Sequence, residues 1–257
     1  MQSSATRLGW LFAAWLLALT VLAGLASPRT AAVFIPTGPI PPLRVGMDPS
    51  FLPFEFYPGP DLPPLGYDVD LAHAIGPLIG RDVVIVPMAY DGLADGLRTG
   101  QLDLVISAFP YDPRLTQDLV FTGAYFNAGP VRVVRAGQPP PDTPQRLAVE
   151  LGTTSDVAAR RLKPTPAAVL RLASPEAVIA AVVSGEANMA LLDMVTALQA
   201  GPTVEVVGKP VEDEFYVIAT RKDLTVLFTQ VNIALETLRR DGVLDQLAVK
   251  WMGRAAP

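Results

Sequence analysis

The chain has 257 residues, half of them hydrophobic, with 20 Lys+Arg against 25 Asp+Glu and a formal net charge of −5. That length holds one large or two modest domains, and the absence of any Lys/Arg run or basic stripe argues against nucleic-acid binding. With no Cys and a single His, His73, disulfides and conventional zinc or transition-metal centres are excluded.

Arg7 and Arg29 are the only charged residues before Arg44, and setting them aside leaves a net charge of −7. Residues 8–26 are uncharged and rich in Leu, Ala and Trp, and they end in the small-residue stretch Gly24-Leu25-Ala26. A cleaved signal peptide over residues 1–26 is expected, with an uncleaved membrane anchor as the alternative. Either form is exported, so the expected location is periplasmic or extracellular. Lacking Cys, the chain cannot carry a lipid-modified cysteine. Residues 27–42 are Pro-rich and read as an extended linker.

Beyond the linker, apolar runs alternate with helical patterns. Residues 43–47 predict a strand, and 69–79 a helix with Asp68 as its N-cap. Residues 83–88 predict a strand, 91–98 a short helix and 104–106 a buried strand. Asp112-Pro113-Arg114 reads as a helix start, with Asp as N-cap and Pro at the first helical position, opening one or two turns over 113–118. Residues 131–135 predict another strand, and 136–144 a loop. The pattern then resumes with strands at 147–151, 169–172 and 189–192 and helices at 155–162 and 175–184, the latter capped by Ser174. A strand over 215–220, a long helix over 224–240 and a last helix reaching Trp251 complete the chain. Strand–helix alternation of this kind marks a mostly parallel α/β sheet, and two such sets predict two lobes.

Ligands of open α/β sheets sit beyond the carboxyl ends of the strands. Asp48, Tyr90, Ser107, Thr154 and Asp193 fall at such ends, three in the first set and two in the second. The expected site is therefore a cleft between lobes. Arg114 sits in a first helical turn, where the dipole disfavours a cation. Its fork could hold a ligand carboxylate bidentately, or an ordinary salt bridge could engage it, for instance with Asp118. Gly152-Thr153-Thr154-Ser155 joins strand to helix. Its N–H groups could hold an anion, or Ser155 could simply cap the helix. Asp193 could cap a helix or pair with an ammonium group. Phe51 and Tyr90 could stack on a ligand body or belong to the core.

Gly66-Tyr67-Asp68-Val69-Asp70-Leu71, followed by Ile75-Gly76 and Ile79, resembles the signature of the family-3 extracellular solute-binding proteins, which serve amino-acid import by ABC transporters. Leu43–Asp48, Pro53–Phe56, Gly100–Asp103, Asp112–Arg114, Gly152–Thr154, Gly185–Asn188, Leu238–Gly242 and Lys250–Gly253 are similar to family stretches in the family's order. The resemblance spans residues 43–253. It implies a two-lobed periplasmic-binding-protein fold (type II), with lobe 1 from 43–127 plus 214–253 and lobe 2 from 128–213. The crossings near 127–129 and 210–214 would be the hinge. It also implies that Arg114 takes the ligand α-carboxylate, helped by Thr153 and Thr154, and that Asp193 takes the α-ammonium. Phe51 and Tyr90 would sandwich the side chain, with Asp48, Ser107, Ala108 and Phe109 lining the pocket. Phe109 departs from the Ser or Thr of many members. Asp68 and Asp70 are read as helix-start residues rather than ligands.

The expected function is amino-acid capture by lobe closure and delivery to an ABC-transporter permease, by a monomer without cofactor or catalytic residue. The alternatives are a dehydratase of the cyclohexadienyl/arogenate type on the same scaffold, or a ligand-sensing receptor subunit.

Overall fold

The computed structural model describes residues 40–255. The signal-peptide reading and nearly all of the linker lie outside the described residues. No helix among the described residues is long and apolar enough to cross a membrane.

The first sheet is built around β1 (Leu43–Met47), which pairs in parallel with β4 (Val83–Pro87) and β5 (Leu104–Val105). The short hairpin of β2 (Ser50–Phe51) and β3 (Glu55–Phe56) follows β1. Helices α1 (Tyr67–Leu78) and α2 (Leu93–Arg98) connect the parallel strands. Beyond β5 lie β14 (Ala219–Arg221) and then β6 (Leu119–Phe121), giving the order β4-β1-β5-β14-β6. β14 runs antiparallel to both of its neighbours.

The second sheet repeats this plan. β9 (Arg146–Glu150) pairs in parallel with β10 (Ala168–Leu172) and β11 (Met189–Leu192), and β8 (Val131–Arg135) is antiparallel to β11 and to β12 (Val204–Val207). The order is β10-β9-β11-β8-β12, with α3 (Thr154–Ala159), α4 (Pro175–Ser184) and α5 (Met194–Gln199) in the connections. In both sheets the strand that breaks the parallel run is the one entering just after the chain has crossed over. The crossings themselves pair: β7 (Phe126–Asn127) with β13 (Phe215–Tyr216). Gly129 lets them close up, because a Cβ there would stand 2.0 Å from the Glu212 carbonyl oxygen.

Alternation along the strands explains why both faces are covered. In β9, Ala148 joins the core that runs through the crossing strands, while Leu147 and Val149 face a separate cluster with Ala158 and Leu162. In the first sheet Leu104 and Ile106 face the main core, and Val105 faces Leu93, Leu97 and Phe109. The last two helices, α6 (Thr225–Arg240) and α7 (Val243–Met252), return to α1. There Lys250 Nζ and Trp251 Nε1 both donate to Asp70, at 2.6 and 2.7 Å.

Several local expectations are corrected. Asp68 is not the N-cap of α1. The helix begins at Tyr67, Gly66 holds the cap position, and Asp68 is buried inside the first turn. α3 is capped by Thr153 rather than Ser155. The helix expected over 113–118 is a single 3₁₀ turn, Pro113–Leu115, followed by β6, and residues 215–220 form two strands rather than one. Asp112 and Ser174 cap as expected.

Candidate ligand-binding site

A cavity of about 320 Å³ opens at the carboxyl ends of β1, β4 and β5. Asp48, Ser50, Phe51, Glu55, Tyr90, Ser107, Ala108 and Pro110 line it from the first lobe, and Glu214 and Tyr216 from the second crossing. Five of the expected residues are thus brought together: Asp48, Phe51, Tyr90, Ser107 and Ala108.

A continuous set of hydrogen bonds builds this wall. Asp48 Oδ2 accepts from the Tyr90 N–H at 2.9 Å, joining the loops after β1 and β4. The Asp48 N–H donates to Ser107 Oγ at 3.0 Å, which joins the loop after β5. Ser107 Oγ donates in turn to Glu55 Oε1 at 2.8 Å. Asp68 Oδ2 accepts from the Ala108 N–H at 2.5 Å and the Tyr125 hydroxyl at 2.8 Å. Ala108 has φ 41°, a left-handed conformation that disfavours a Cβ, and the buried Asp68 carboxylate is what holds it there.

Glu55 and Asp68 are a buried acid pair. Desolvation, and then the neighbouring Asp68 charge, push the Glu55 carboxyl far above the usual carboxylate range. Among the described residues, Glu55 Oε2 and Asp68 Oδ1 are the two buried side-chain oxygens without another partner. One proton carried by Glu55 and donated to Asp68 satisfies both. Gly66 makes the pair possible. Its φ of 144° and the 2.0 Å from a notional Cβ to the Phe54 carbonyl oxygen exclude a side chain there. The start of α1 therefore lies directly on the β2–β3 hairpin, with the Asp68 N–H donating to the Phe54 carbonyl at 2.9 Å.

Phe51 and Tyr90 are each partly exposed over the cavity. Phe51 stacks on buried Phe54 with centroids 5.8 Å apart, and Tyr90 leans on Phe109 at 5.7 Å. Phe109 is itself buried in the cluster on the far face of the sheet and supports Tyr90 from below rather than lining the cavity.

The remaining expected residues lie outside this cavity. Arg114 is exposed, and its fork is engaged by Asp112 rather than Asp118. Nη2 donates to Asp112 Oδ2 at 2.7 Å and Nε to both carboxylate oxygens at 3.0 Å. Asp118 pairs instead with Arg98. Thr153 Oγ1 accepts from the Asp156 N–H and donates to the Glu150 carbonyl, while Thr154 is exposed beside it. The N–H groups of Gly152, Thr153 and Asp156 are engaged within this turn, which reduces its capacity to hold an anion. Asp193 caps α5, its Oδ1 accepting from the Thr196 N–H at 2.9 Å. Among the described residues, no cluster of His, Cys, Asp and Glu is placed to hold a metal ion.

Glu55, Glu214, Pro110, Ser50 and Tyr216 were not anticipated from the sequence. Glu55 left a signal: a carboxylate inside the aromatic run Pro53-Phe54-Glu55-Phe56 must either break the packing or be buried with a partner.

Two lobes joined by paired crossing strands, with a cavity at the strand ends beside them, define a two-lobed solute-binding protein. The chain belongs to the bacterial extracellular solute-binding proteins, family 3, whose model matches residues 43–254. It is 25% identical over 254 residues to the lysine/arginine/ornithine-binding periplasmic protein of Escherichia coli (strain K12), covering 92% of this chain and 95% of that protein. An ancestral cationic amino-acid solute-binding protein of known structure is 32% identical, with a TM-score of 0.60 over 82% of this chain and 95% of that one. An ancestral cyclohexadienyl dehydratase is 25% identical, with a TM-score of 0.70 over 82% of this chain and 92% of that one.

Proposed function

We propose that this protein is an extracytoplasmic receptor that captures an L-amino acid with a cationic side chain and delivers it to an ABC-transporter permease. The observation carrying this reading is the charge of the cavity wall. Of its three acids, Glu55 is pushed toward its neutral form, which leaves Asp48 and Glu214 to face a cation, and no lining residue is basic. A cationic side chain lying between Phe51 and Tyr90 meets Asp48 and gains from the ring faces. Relatives named for lysine, arginine and ornithine, and for cationic amino acids, agree with that chemistry.

In this reading residues 43–127 plus 214–253 form lobe 1 and residues 128–213 form lobe 2. The crossings act as the hinge, and ligand bridging the lobes favours the closed state. Arg114 exchanges Asp112 for the ligand carboxylate, Thr153 and Thr154 approach from lobe 2, and Asp193 receives the α-ammonium. The protein works as a monomer outside the cytoplasm.

A thermal-shift screen of the twenty standard L-amino acids and L-ornithine tests the reading. Lysine, arginine or ornithine at 100 times its dissociation constant should add about 2.7 kcal/mol of stability. No shift with any amino acid would overturn it. Small-angle scattering should show a smaller radius of gyration with saturating ligand, and an unchanged one would remove lobe closure from the reading.

The dehydratase alternative has one feature in its favour: burial and the Asp68 charge push the Glu55 carboxyl, in the cavity wall, toward the protonated state a general acid needs. Its proton is already shared with Asp68, however, and an acidic wall repels a dicarboxylate such as prephenate. Incubation with prephenate is expected to yield no phenylpyruvate above the uncatalysed rate.

A further inference from the structure

The second crossing serves two cavities. Side chains alternate along an extended strand. Glu214 and Tyr216 line the cavity at the strand ends, while Asp213 and Phe215 line a separate cavity of about 530 Å³ with Tyr67, Met194 and Leu244. The strand's own register therefore aims Glu214 at the ligand side. Its backbone is pinned: the Glu214 N–H donates to Asn127 Oδ1 at 3.0 Å, and its carbonyl accepts from the Ala128 N–H at 2.8 Å.

Ala128 also meets the second lobe. Its carbonyl accepts from the Met194 N–H at 3.2 Å, which sets the Asp193–Met194 junction against the same residue. Asp193 and Glu214 thus flank Ala128, one presented by the end of β11 and the other by the second crossing. Neither takes part in a salt bridge among the described residues. Asp193 commits one oxygen to the α5 cap, which leaves the other for a second partner. Burial first, and then the Asp193 charge, raise the Glu214 carboxyl above its ordinary range. A cation placed between the two carboxylates would offset that unfavourable effect on Glu214.

We propose that Glu214 shares the ligand's α-ammonium with Asp193, so that the ammonium site is a pair of acids straddling the hinge. This assignment rests on the amino-acid-receptor reading above and adds to it a residue outside the family resemblance. The unliganded pair repels, and a bound ammonium replaces that repulsion with two attractions. Lobe closure then depends on a cation at this point, and Glu214 sets the preference for amino acids over their deaminated analogues.

The test measures binding of each of the twenty L-amino acids to the wild type by calorimetry, then compares the tightest binder with its 2-hydroxy-acid counterpart. Glu214→Gln removes the charge and keeps the shape. It should weaken the amino acid by about tenfold or more and leave the 2-hydroxy acid unchanged or tighter, because a buried charge loses one of its partners in the first case only. Glu214→Asp keeps the charge and should recover part of the preference, which a purely structural role would not produce. A wild type that binds no amino acid would overturn the receptor reading and this assignment with it. A wild type that binds, with an unchanged ratio of amino acid to hydroxy acid in Glu214→Gln, would overturn this assignment alone. Should Glu214→Gln fail to fold, Glu214→Ala takes its place: a lowered ratio of amino-acid to hydroxy-acid affinity supports a charge role, and an unchanged ratio overturns it.

Discussion

The two lobes share one strand order, yet their contributions to the cleft differ in state. On the first lobe, Asp48, Tyr90, Ser107, Glu55, Asp68 and Ala108 are tied across three loops, the β2–β3 hairpin and a helix start by hydrogen bonds of 2.5–3.0 Å. On the second lobe, Thr153 and Asp193 are each spent on the helix behind them. One wall is assembled before a ligand arrives, and the other holds groups whose present work is local. Affinity from the first wall is preorganised, so the ordering cost is met during folding. In the proposed reading, affinity from the second would come with closure. Each prediction below breaks or sharpens that contrast.

The largest effect is expected at Asp68. Asp68→Ala strands the Ala108 N–H and the Tyr125 hydroxyl and leaves Glu55 without its acceptor, all in buried surroundings. At about 1–3 kcal/mol for each stranded group, a loss of at least about 3 kcal/mol of stability is expected by urea unfolding. If the loss is under about 1 kcal/mol, at the low end for a single stranded group, the first wall is not held by this carboxylate.

Arg114 comes next. In the unliganded protein it is an exposed ion pair with Asp112, so Arg114→Ala should leave the melting temperature nearly unchanged. The same substitution should cost at least about 30-fold in amino-acid affinity if the ligand carboxylate takes over its fork on closure. Unchanged affinity would confine Arg114 to its surface pair and move the carboxylate site elsewhere.

A smaller, pH-graded effect is expected from Glu55. Its carboxyl is held protonated in the folded protein by desolvation and by Asp68, whereas it ionises near pH 4.5 when exposed. The folded state therefore binds the extra proton, and the stability it confers is full below that pH and declines as pH rises towards the raised folded value. The slope cannot exceed about 1.4 kcal/mol per pH unit for one proton. Glu55→Gln mimics the neutral acid and should flatten the fall in melting temperature between pH 5 and 9. An identical pH profile in both proteins would mean that Glu55 is ionised in the fold.

The elements read most easily from sequence were those with a period and a punctuation mark. Residues 43–47, 131–135 and 189–192 are apolar runs between polar breaks, and 175–184 has Ser174 before it and Gly185 after it. The hairpin of β2 and β3 and the pair β7–β13 are two residues per strand, too short for any period, and β7 and β13 pair only because the chain returns to the crossing almost 90 residues later. Asp68 was misplaced for a similar reason. An acid at a helix start looks like a cap by local rules, and the two donors that claim it lie at Ala108 and Tyr125. The first wall was readable from strand ends alone, as Asp48, Tyr90 and Ser107 show. Glu214 was not, because it belongs to a crossing, where topology rather than periodicity decides which way a side chain points.

The smallest effect is expected on the second lobe, and it tests the contrast most directly. Thr153 Oγ1 caps α3 by accepting from the Asp156 N–H and anchors the turn through the Glu150 carbonyl. Thr153→Ala should cost about 1 kcal/mol of stability, the ordinary worth of an N-cap. Thr153→Ser keeps a hydroxyl and should restore most of that, since Ser caps at least as well as Thr. Affinity separates the two roles. If the hydroxyl only caps, a ligand that binds the folded protein feels nothing, and its dissociation constant is the same in Thr153→Ala as in the wild type. If closure turns the hydroxyl or its neighbouring N–H groups toward the ligand carboxylate, the amino acid weakens several-fold in Thr153→Ala and recovers in Thr153→Ser, in the range of one neutral hydrogen bond. Calorimetry on the three proteins at one temperature reads this. Affinity equal in all three would leave the second lobe's contribution to Thr154 and Asp193 and make the cleft more one-sided than its symmetric strand order implies.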